Sequence, residues 1–585
     1  MNFIKTYRYA FILSLAALLF YSCGLGSTAL LDPDEPVYGA TAKEMVKSGS
    51  WLTPRLNGML WFDKPPMYFW LAALSYKVFG INEFAARFPS SLMAAFLIFL
   101  VYVWAMHAFS KETALYSSLC LMSSLLFVVI GRAAVTDMTL CFFINFSFFM
   151  IYLAVKNPEE KFKYINWFYF VCGFSTLTKG PVGLVLPLMI VVPYLAFGRK
   201  WNILKSLYSI PGFFFFCLSA LPWYAAMQLL HGSQFFNTFI GYHNLIRFLE
   251  PEHVKTSSVF FYVPVLIAGF FPHSAALVPM VLNAFSKTVS AKIFSDYIFR
   301  SGSGDSGRRE SISYLMFICL IVFFFFSIAK TKLVTYILPM FPAFAILLGV
   351  SYEKLFCEEK YNLSGAALNV IISGGFFYAF LKVAPLKAKI DDLSVYIYLA
   401  YIFAAFVIAN VIFTLMRSHR YAFIANILLM AAFFFTMNIY LLPQFSDSYS
   451  SKKVCERLNA LIKPGEKLAY FSKTPSAVFY SDRCIEHVSE SGSARMGAGS
   501  KNKRILAENN NQLAVKADNF VRNISPRPSA IVGRDGLRKI KSFLSQSEKS
   551  YVIMLASDYE KYSSEVSLAG VLGEKIGKYV YIVNH

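Results

Sequence analysis

Up to Leu442 the apolar residues of this chain come in long blocks separated by short polar turns, and beyond it they come in runs of a few residues. The long blocks are 9–31, 84–108, 114–131, 138–155, 164–178, 181–197, 207–230, 259–281, 311–329, 334–351, 366–383, 393–416 and 421–442. Most reach the ~18 residues that cross a bilayer as a helix, so the pattern predicts about thirteen transmembrane helices, the fifth being short. Block 9–31 outruns the apolar stretch of a cleaved leader, and no small-x-small site precedes Asp32, so it reads as a retained span. The short runs at 467–471, 530–532, 551–555 and 579–583 predict strands, while 454–462 and 536–544 predict helices. The expected architecture is an α-helical polytopic membrane domain over 1–443 followed by a small α/β domain over 444–585, with a Ser/Gly-rich loop at 489–503.

The first loop, 32–83, carries two further helical patterns. Residues 37–47 alternate Val37, Tyr38, Ala40 and Met45 with Lys43, Glu44 and Lys47, as in an amphipathic helix lying in the membrane interface, with Pro36 at its start and Gly49 at its end. Residues 66–79 give a second, more apolar one.

Composition agrees with a membrane protein: 57% of the 585 residues are hydrophobic and 15% are charged, which excludes an ordinary soluble protein. Sixty Phe and 35 Tyr serve lipid packing and interface belts. The net charge of +21 is partly topological. Lys5 and Arg8 precede the first span, and alternate counting puts Lys156, Lys161 and Lys163, then Arg199, Lys200 and Lys205, then Arg308 and Arg309, and finally Arg417 and Arg420 on that same side. By the positive-inside rule that side is the cytoplasm, which places the N-terminus inside and the C-terminal domain outside. No aromatic-basic motif or zinc spacing points to nucleic acid.

The polar residues near span ends fall on the opposite, outer side. They are Asp34, Glu35, Asp63 and Lys64 in the first loop, Arg132 and Asp137, Lys179, His243 and Arg247, and Lys330 and Lys332. Charges at a membrane edge are expensive to keep, and a purely structural protein has no reason to gather them on one side. Outside the cytoplasm there is no nucleotide pool, and the chain has no Walker loop, so a sugar donor there is one carried on a polyprenyl phosphate. Transfer from it needs a carboxylate to orient or deprotonate the acceptor, cations for the departing phosphate, and a groove for the isoprenoid.

Three stretches carry a resemblance: Asp34-Glu35-Pro36-Val37-Tyr38, then Phe62-Asp63-Lys64-Pro65, and Lys330-Thr331-Lys332-Leu333-Val334-Thr335-Tyr336-Ile337-Leu338-Pro339. With Thr178-Lys179-Gly180 and His243-x-x-x-Arg247-Phe248, this set resembles the lipid A aminoarabinose transferases. These belong to the C-type polyprenyl-phosphate-sugar-dependent glycosyltransferases related to the protein O-mannosyltransferases. The resemblance implies an inverting transferase of the inner membrane, with lipid A as acceptor and membrane lipids around it. A protein O-mannosyltransferase-like or other surface-glycan transferase is the alternative within the class, and a lipid-linked sugar flippase the alternative outside it. Against the flippase, the charges cluster at one face and no inverted repeat is evident.

The resemblance also assigns roles. Asp34 is the catalytic carboxylate, with Glu35 as its orienting neighbour and Asp137 as a second acid. Tyr38, Lys64, Lys179, Arg247, Lys330, Lys332 and Tyr336 bind the donor phosphate or substrate. Val37 stands where relatives often carry a basic residue, so one phosphate contact is missing or comes from elsewhere. The plainer readings are an Asx turn for Asp34, a snorkelling cation for Lys64, and for Asp137 a helix cap bridged to Arg132. Asp32 reads as solvated. In relatives a divalent metal can sit between the histidine and the acid at the His243 and Asp63 positions, but one His and one carboxylate are too few ligands to infer a metal from spacing. Seven of the nine cysteines fall in or near the membrane part, and Cys455 and Cys484 leave a disulfide open.

Overall fold

The computed structural model describes residues 5–246, 258–276, 306–329, 331–358, 363–379, 381, 394–471, 475–481, 483, 485–488, 540, 542–545, 549–560 and 571–584. The chain forms two compact units: one from residues 1–27, 87–224 and 256–442, the other from 28–86, 225–255 and 443–585.

The first unit is helical. Seven described helices are long and apolar enough to cross a membrane: Glu83–Ala108, Asp137–Lys156, Ile210–Gly241, Gly307–Ile328, Val334–Cys357, Tyr396–Leu415 and His419–Gln444. An eighth span is the pair Lys111–Ser123 and Leu125–Gly131, bent by 66°. The structure therefore does not confirm a count of thirteen. One reason is visible at the first block, where the helix is Arg8–Ser22, about 22 Å of rise against a hydrocarbon core of about 30 Å, and another is that blocks 259–281 and 366–383 lie partly outside the described residues. It stops because Cys23 turns extended and Gly24 takes φ +63°.

The bent pair shows how a broken helix is tolerated here. Ser124 is extended, which frees the Leu125 N–H, and that group donates to the Phe271 carbonyl at 3.1 Å. Beside it, buried His273 contacts the Ser123 hydroxyl at 2.8 Å and the Tyr352 hydroxyl at 3.3 Å, so the polar atoms at the break are paired within protein. The aromatic load packs this unit. Fully buried Trp104 meets Phe149, Tyr152 and Tyr314 with ring centroids 5.7 to 6.1 Å apart.

Gly349 lets two helices approach closely. A Cβ there would lie 2.7 Å from the Thr113 carbonyl and 2.9 Å from the Ser117 amide. Gly349→Leu is therefore expected to destabilise the purified protein by about 1–3 kcal/mol, read as a lower Tm in detergent. An unchanged Tm would show that the helix pair can part without loss.

The second unit joins the first loop to the tail. The Asp34–Ser48 helix begins with two acids, as its dipole favours, and ends at Gly49, whose φ of +71° only glycine adopts easily. It packs on the Met67–Phe79 helix, and a short hairpin of β1 (Arg55–Leu56) and β2 (Met59–Leu60) turns at Asn57-Gly58 between them. The tail folds as a mixed sheet in the order β4-β3-β5-β7-β6, from β3 (Lys467–Phe471), β4 (Glu486–Val488), β5 (Ser550–Leu555), β6 (Val571–Ile576) and β7 (Tyr579–Val583). β3 runs parallel to β4 and β5, while β7 runs antiparallel to both of its neighbours, β5 and β6.

Both faces of this sheet are covered. Val552, Met554, Val580 and Ile582 pack with Ile540 and Phe543 on one side. Tyr551, Ile553, Tyr579 and Tyr581 pack with Val454 and Leu458 of the Lys452–Leu461 helix on the other. The predicted strand 530–532, most of the helix expected at 536–544, and the 489–503 loop lie outside the described residues. Cys455 is a buried free thiol against Ser451, and Cys484 lies outside the described residues.

Candidate active site

In the membrane unit, three residues from three separate motifs touch. Asp137 opens the Asp137–Lys156 helix, and Lys179 closes the Lys161–Lys179 helix just before Gly180, whose φ of +81° ends it. Their side chains meet, Lys179 Nζ donating to Asp137 Oδ1 at 2.7 Å, with 17% and 15% of the two side chains exposed. The same ammonium sits 5.1 Å from the centroid of the Tyr336 ring, on the 3₁₀ turn Val334–Met340.

Asp137 therefore does not bridge to Arg132. The Arg132 guanidinium instead donates to the carbonyls of Tyr21 at 2.6 Å and Cys23 at 2.8 Å, and to the Asn438 side chain. It holds the carbonyl end of the first helix, where a cation is favoured. Lys332 is 2% exposed and donates to the Ala329 carbonyl at 2.5 Å. Lys330 lies outside the described residues.

In the second unit, Asp34 stands exposed in the first turn of its helix, while Glu35 is buried and accepts a hydrogen bond from the Leu31 amide at 2.9 Å. Tyr38 leans on Tyr68 and Phe69 of the neighbouring helix, with centroids 5.8 and 6.0 Å apart. Lys64 donates to the Asp63 carboxylate at 2.9 Å, both side chains being mostly covered. Just before them, buried Phe62 packs on His231 and Phe235, and His231 Nε2 lies 3.0 Å from the Thr53 hydroxyl. Residues 237–246, with His243 among them, wind as a π-helix, a geometry that concentrates at functional sites. Arg247 lies outside the described residues.

Among the described residues no three His, Cys, Asp or Glu side chains converge as metal ligands. Asp63, the expected acidic ligand, is already neutralised by an ammonium.

Two contributors had no signal in the local sequence. His231 is one, because nothing near it in sequence marks it as a neighbour of the Phe62-Asp63-Lys64 step. Asp32 is the other, and here the expectation of a solvated residue is corrected. Its carboxylate accepts from the Ser476 amide at 2.7 Å, the Ser476 hydroxyl at 2.6 Å and the Tyr579 hydroxyl at 3.3 Å. Burial pushes its pKa up from 3.8 to about 6, against the lowering effect of the Ser476 and Tyr579 bonds.

Because the folded-state pKa is the higher one, the stabilisation linked to the Asp32 proton is complete below about pH 4 and is lost as pH rises through about 6. It amounts to about 3 kcal/mol at most. Asp32→Asn removes this dependence, so the Tm difference between variant and wild type should change across pH 4–7, with the wild type gaining relative stability towards acid. Parallel Tm curves for the two proteins would contradict the burial described.

Residues 63–224 match the family of dolichyl-phosphate-mannose-protein mannosyltransferases. An uncharacterized protein of Aquifex aeolicus (strain VF5) is 31% identical over 349 residues, which is 59% of this chain and 64% of that protein. The undecaprenyl phosphate-alpha-4-amino-4-deoxy-L-arabinose arabinosyl transferase 2 of Proteus mirabilis (strain HI4320) is 26% identical over 412 residues, covering 69% and 70% of the two chains. The matches thus span about two-thirds of the relatives' own length. The crystal structure of ArnT from Cupriavidus metallidurans bound to undecaprenyl phosphate superposes with a TM-score of 0.75 at 20% identity, over 99% of this chain and 98% of that one.

Fold and sequence together define a multi-pass membrane protein of the C-type glycosyltransferase fold. Its residues 63–224 are similar to the protein mannosyltransferases, and over 412 residues the chain is similar to an aminoarabinose transferase.

Proposed function

We propose that this protein transfers an aminoarabinose-type sugar from a polyprenyl-phosphate donor to lipid A at the outer face of the inner membrane, with its N-terminus in the cytoplasm and its tail outside. The observation that carries this reading is the contact of Asp137, Lys179 and Tyr336, three residues of separate family motifs, in a chain 26% identical to a named arabinosyl transferase over 412 residues.

The chemistry follows from these groups. The acceptor oxygen attacks the anomeric carbon from the face opposite the phosphate, a new C–O bond forms with inversion, and the old C–O bond breaks with its electron pair leaving on the polyprenyl phosphate. Lys179, steered by Asp137 and held against the Tyr336 ring, supplies positive charge as the phosphate gains it. Lys64, Lys332, Lys330 and Arg247 are the further phosphate-side cations of this reading. Asp34 is exposed to an acceptor, whereas Glu35 is bound to the Leu31 amide and holds the turn that presents it. A phosphate acceptor is already anionic and needs orientation alone, while a hydroxyl acceptor needs Asp34 as a base.

Purified protein in lipid nanodiscs, given labelled undecaprenyl-phosphate aminoarabinose and lipid A, should form the glycosylated lipid. Movement of the labelled donor across vesicles without product would instead support the flippase.

A further inference from the structure

The Asp34–Ser48 helix is held by the tail as closely as by its own loop. Lys43 on that helix donates to the carbonyls of Phe479 at 2.6 Å and Ser481 at 3.2 Å, at the end of the Pro475–Tyr480 helix. A Cβ at Gly39, on the same helix, would lie 3.3 Å from the Phe479 ring, so the two helices are in direct contact there. Asn57 and Ile485 exchange both of their hydrogen bonds, side-chain Nδ2 to carbonyl at 2.5 Å and amide to Oδ1 at 3.0 Å.

The tightest tie is Asp32, two residues before Asp34. Its amide donates to the Tyr449 carbonyl at 3.0 Å while its carboxylate takes the three donors of Ser476 and Tyr579. Around it stand the other titratable groups of the elements packed there: Cys455 on the Lys452–Leu461 helix, Tyr470 on β3, Tyr579 on β7 and Lys43. Ser476 follows β3 and Tyr579 pairs with Leu555, the last residue of β5, so the carboxylate lies at the carboxyl end of these two parallel strands. In open α/β sheets a separate ligand is bound at that place. Here the position is filled from within the chain.

We propose that the C-terminal α/β domain is a positioning module of the transferase, and that Asp32 is the positioning residue through which it fixes the Asp34–Glu35 turn. The inference rests on the transfer reaction proposed above. Asp32 touches neither the donor nor the acceptor in this scheme. It acts by fixing the backbone from which Asp34 projects, and small misplacements of a reacting group are enough to slow turnover.

The test uses Asp32→Ala, Ser476→Ala and their double variant in the full-length protein, with Asp32→Asn as the near-isosteric control. Two readouts are taken: kcat and KM with undecaprenyl-phosphate aminoarabinose and lipid A, and amide exchange of residues 34–48. Either single change should lower kcat about 10- to 100-fold with donor KM unchanged and speed exchange across 34–48, and the double variant should be no worse than the singles. Asp32→Asn, which keeps one acceptor for the Ser476 amide, should fall between.

Wild-type kcat in folded Asp32→Ala, or unchanged exchange at 34–48, would overturn the proposal. So would additive losses, because they would mean that the two residues act separately. If the wild type itself makes no product, the reaction is wrong, and the exchange of 34–48 in the same variants still decides whether Asp32 fixes that turn.

Discussion

Asp34→Asn is expected to lower transfer onto a hydroxyl acceptor by about 10²- to 10⁴-fold, and transfer onto a lipid phosphate by only about 10-fold. The difference arises because amide for carboxylate removes a base and keeps the shape. A hydroxyl must lose its proton as its oxygen attacks, and an amide cannot take that proton. A phosphate oxygen arrives without one, so the variant loses only the charge that orients it. The neighbouring acid is a poor substitute, since Glu35 is buried and occupied by the Leu31 amide. Initial rates with both acceptor types, measured on the same preparation, give the ratio. Full activity with both would remove Asp34 from the mechanism, and equal losses would mean that it serves something other than proton removal.

The second large effect is expected at the pair in the membrane unit. Lys179→Met should reduce kcat by about 10²- to 10³-fold, because the ammonium is in place before phosphate charge develops and a water-filled gap cannot reproduce that. The same change strips a mostly covered carboxylate of its partner and should destabilise the protein by roughly 1–3 kcal/mol. Asp137→Asn in the Lys179→Met background should restore much of the stability and none of the turnover. Comparing Tm and kcat for the single and double variants separates the two contributions. Retained kcat in Lys179→Met would place the phosphate elsewhere.

Much of the fold could be read from the chain because its signals are local. The Asp34–Ser48 helix shows, three residues short at its start, in its amphipathic alternation, its proline and its terminal Gly49. Strands β5 and β7 show as continuous apolar runs because both faces of the sheet are covered by helices. Strands β4 and β6 did not show. They are the two edges, and Glu486, His487, Glu574 and Lys575 give them the polar look that edge strands carry.

The described residues confirm seven or eight of the expected spans: apolar content is visible in sequence, but the extended residue at Ser124 and the early stop at Cys23 depend on backbone geometry. At the candidate site, each motif could be seen singly. That Asp137 faces Lys179 and turns away from Arg132 could not, because it depends on how separate helices pack. Asp32 looked solvated because its partner Ser476 lies 444 positions away.

That separation has a consequence for biogenesis. A ribosome adding roughly 5–20 residues per second makes Ser476 some 20–90 s after Asp32. Throughout that interval the loop lacks the donors that will later hold it. On the positioning role proposed for Asp32, a nascent chain stalled before that point turns over about 10- to 100-fold more slowly than the finished protein.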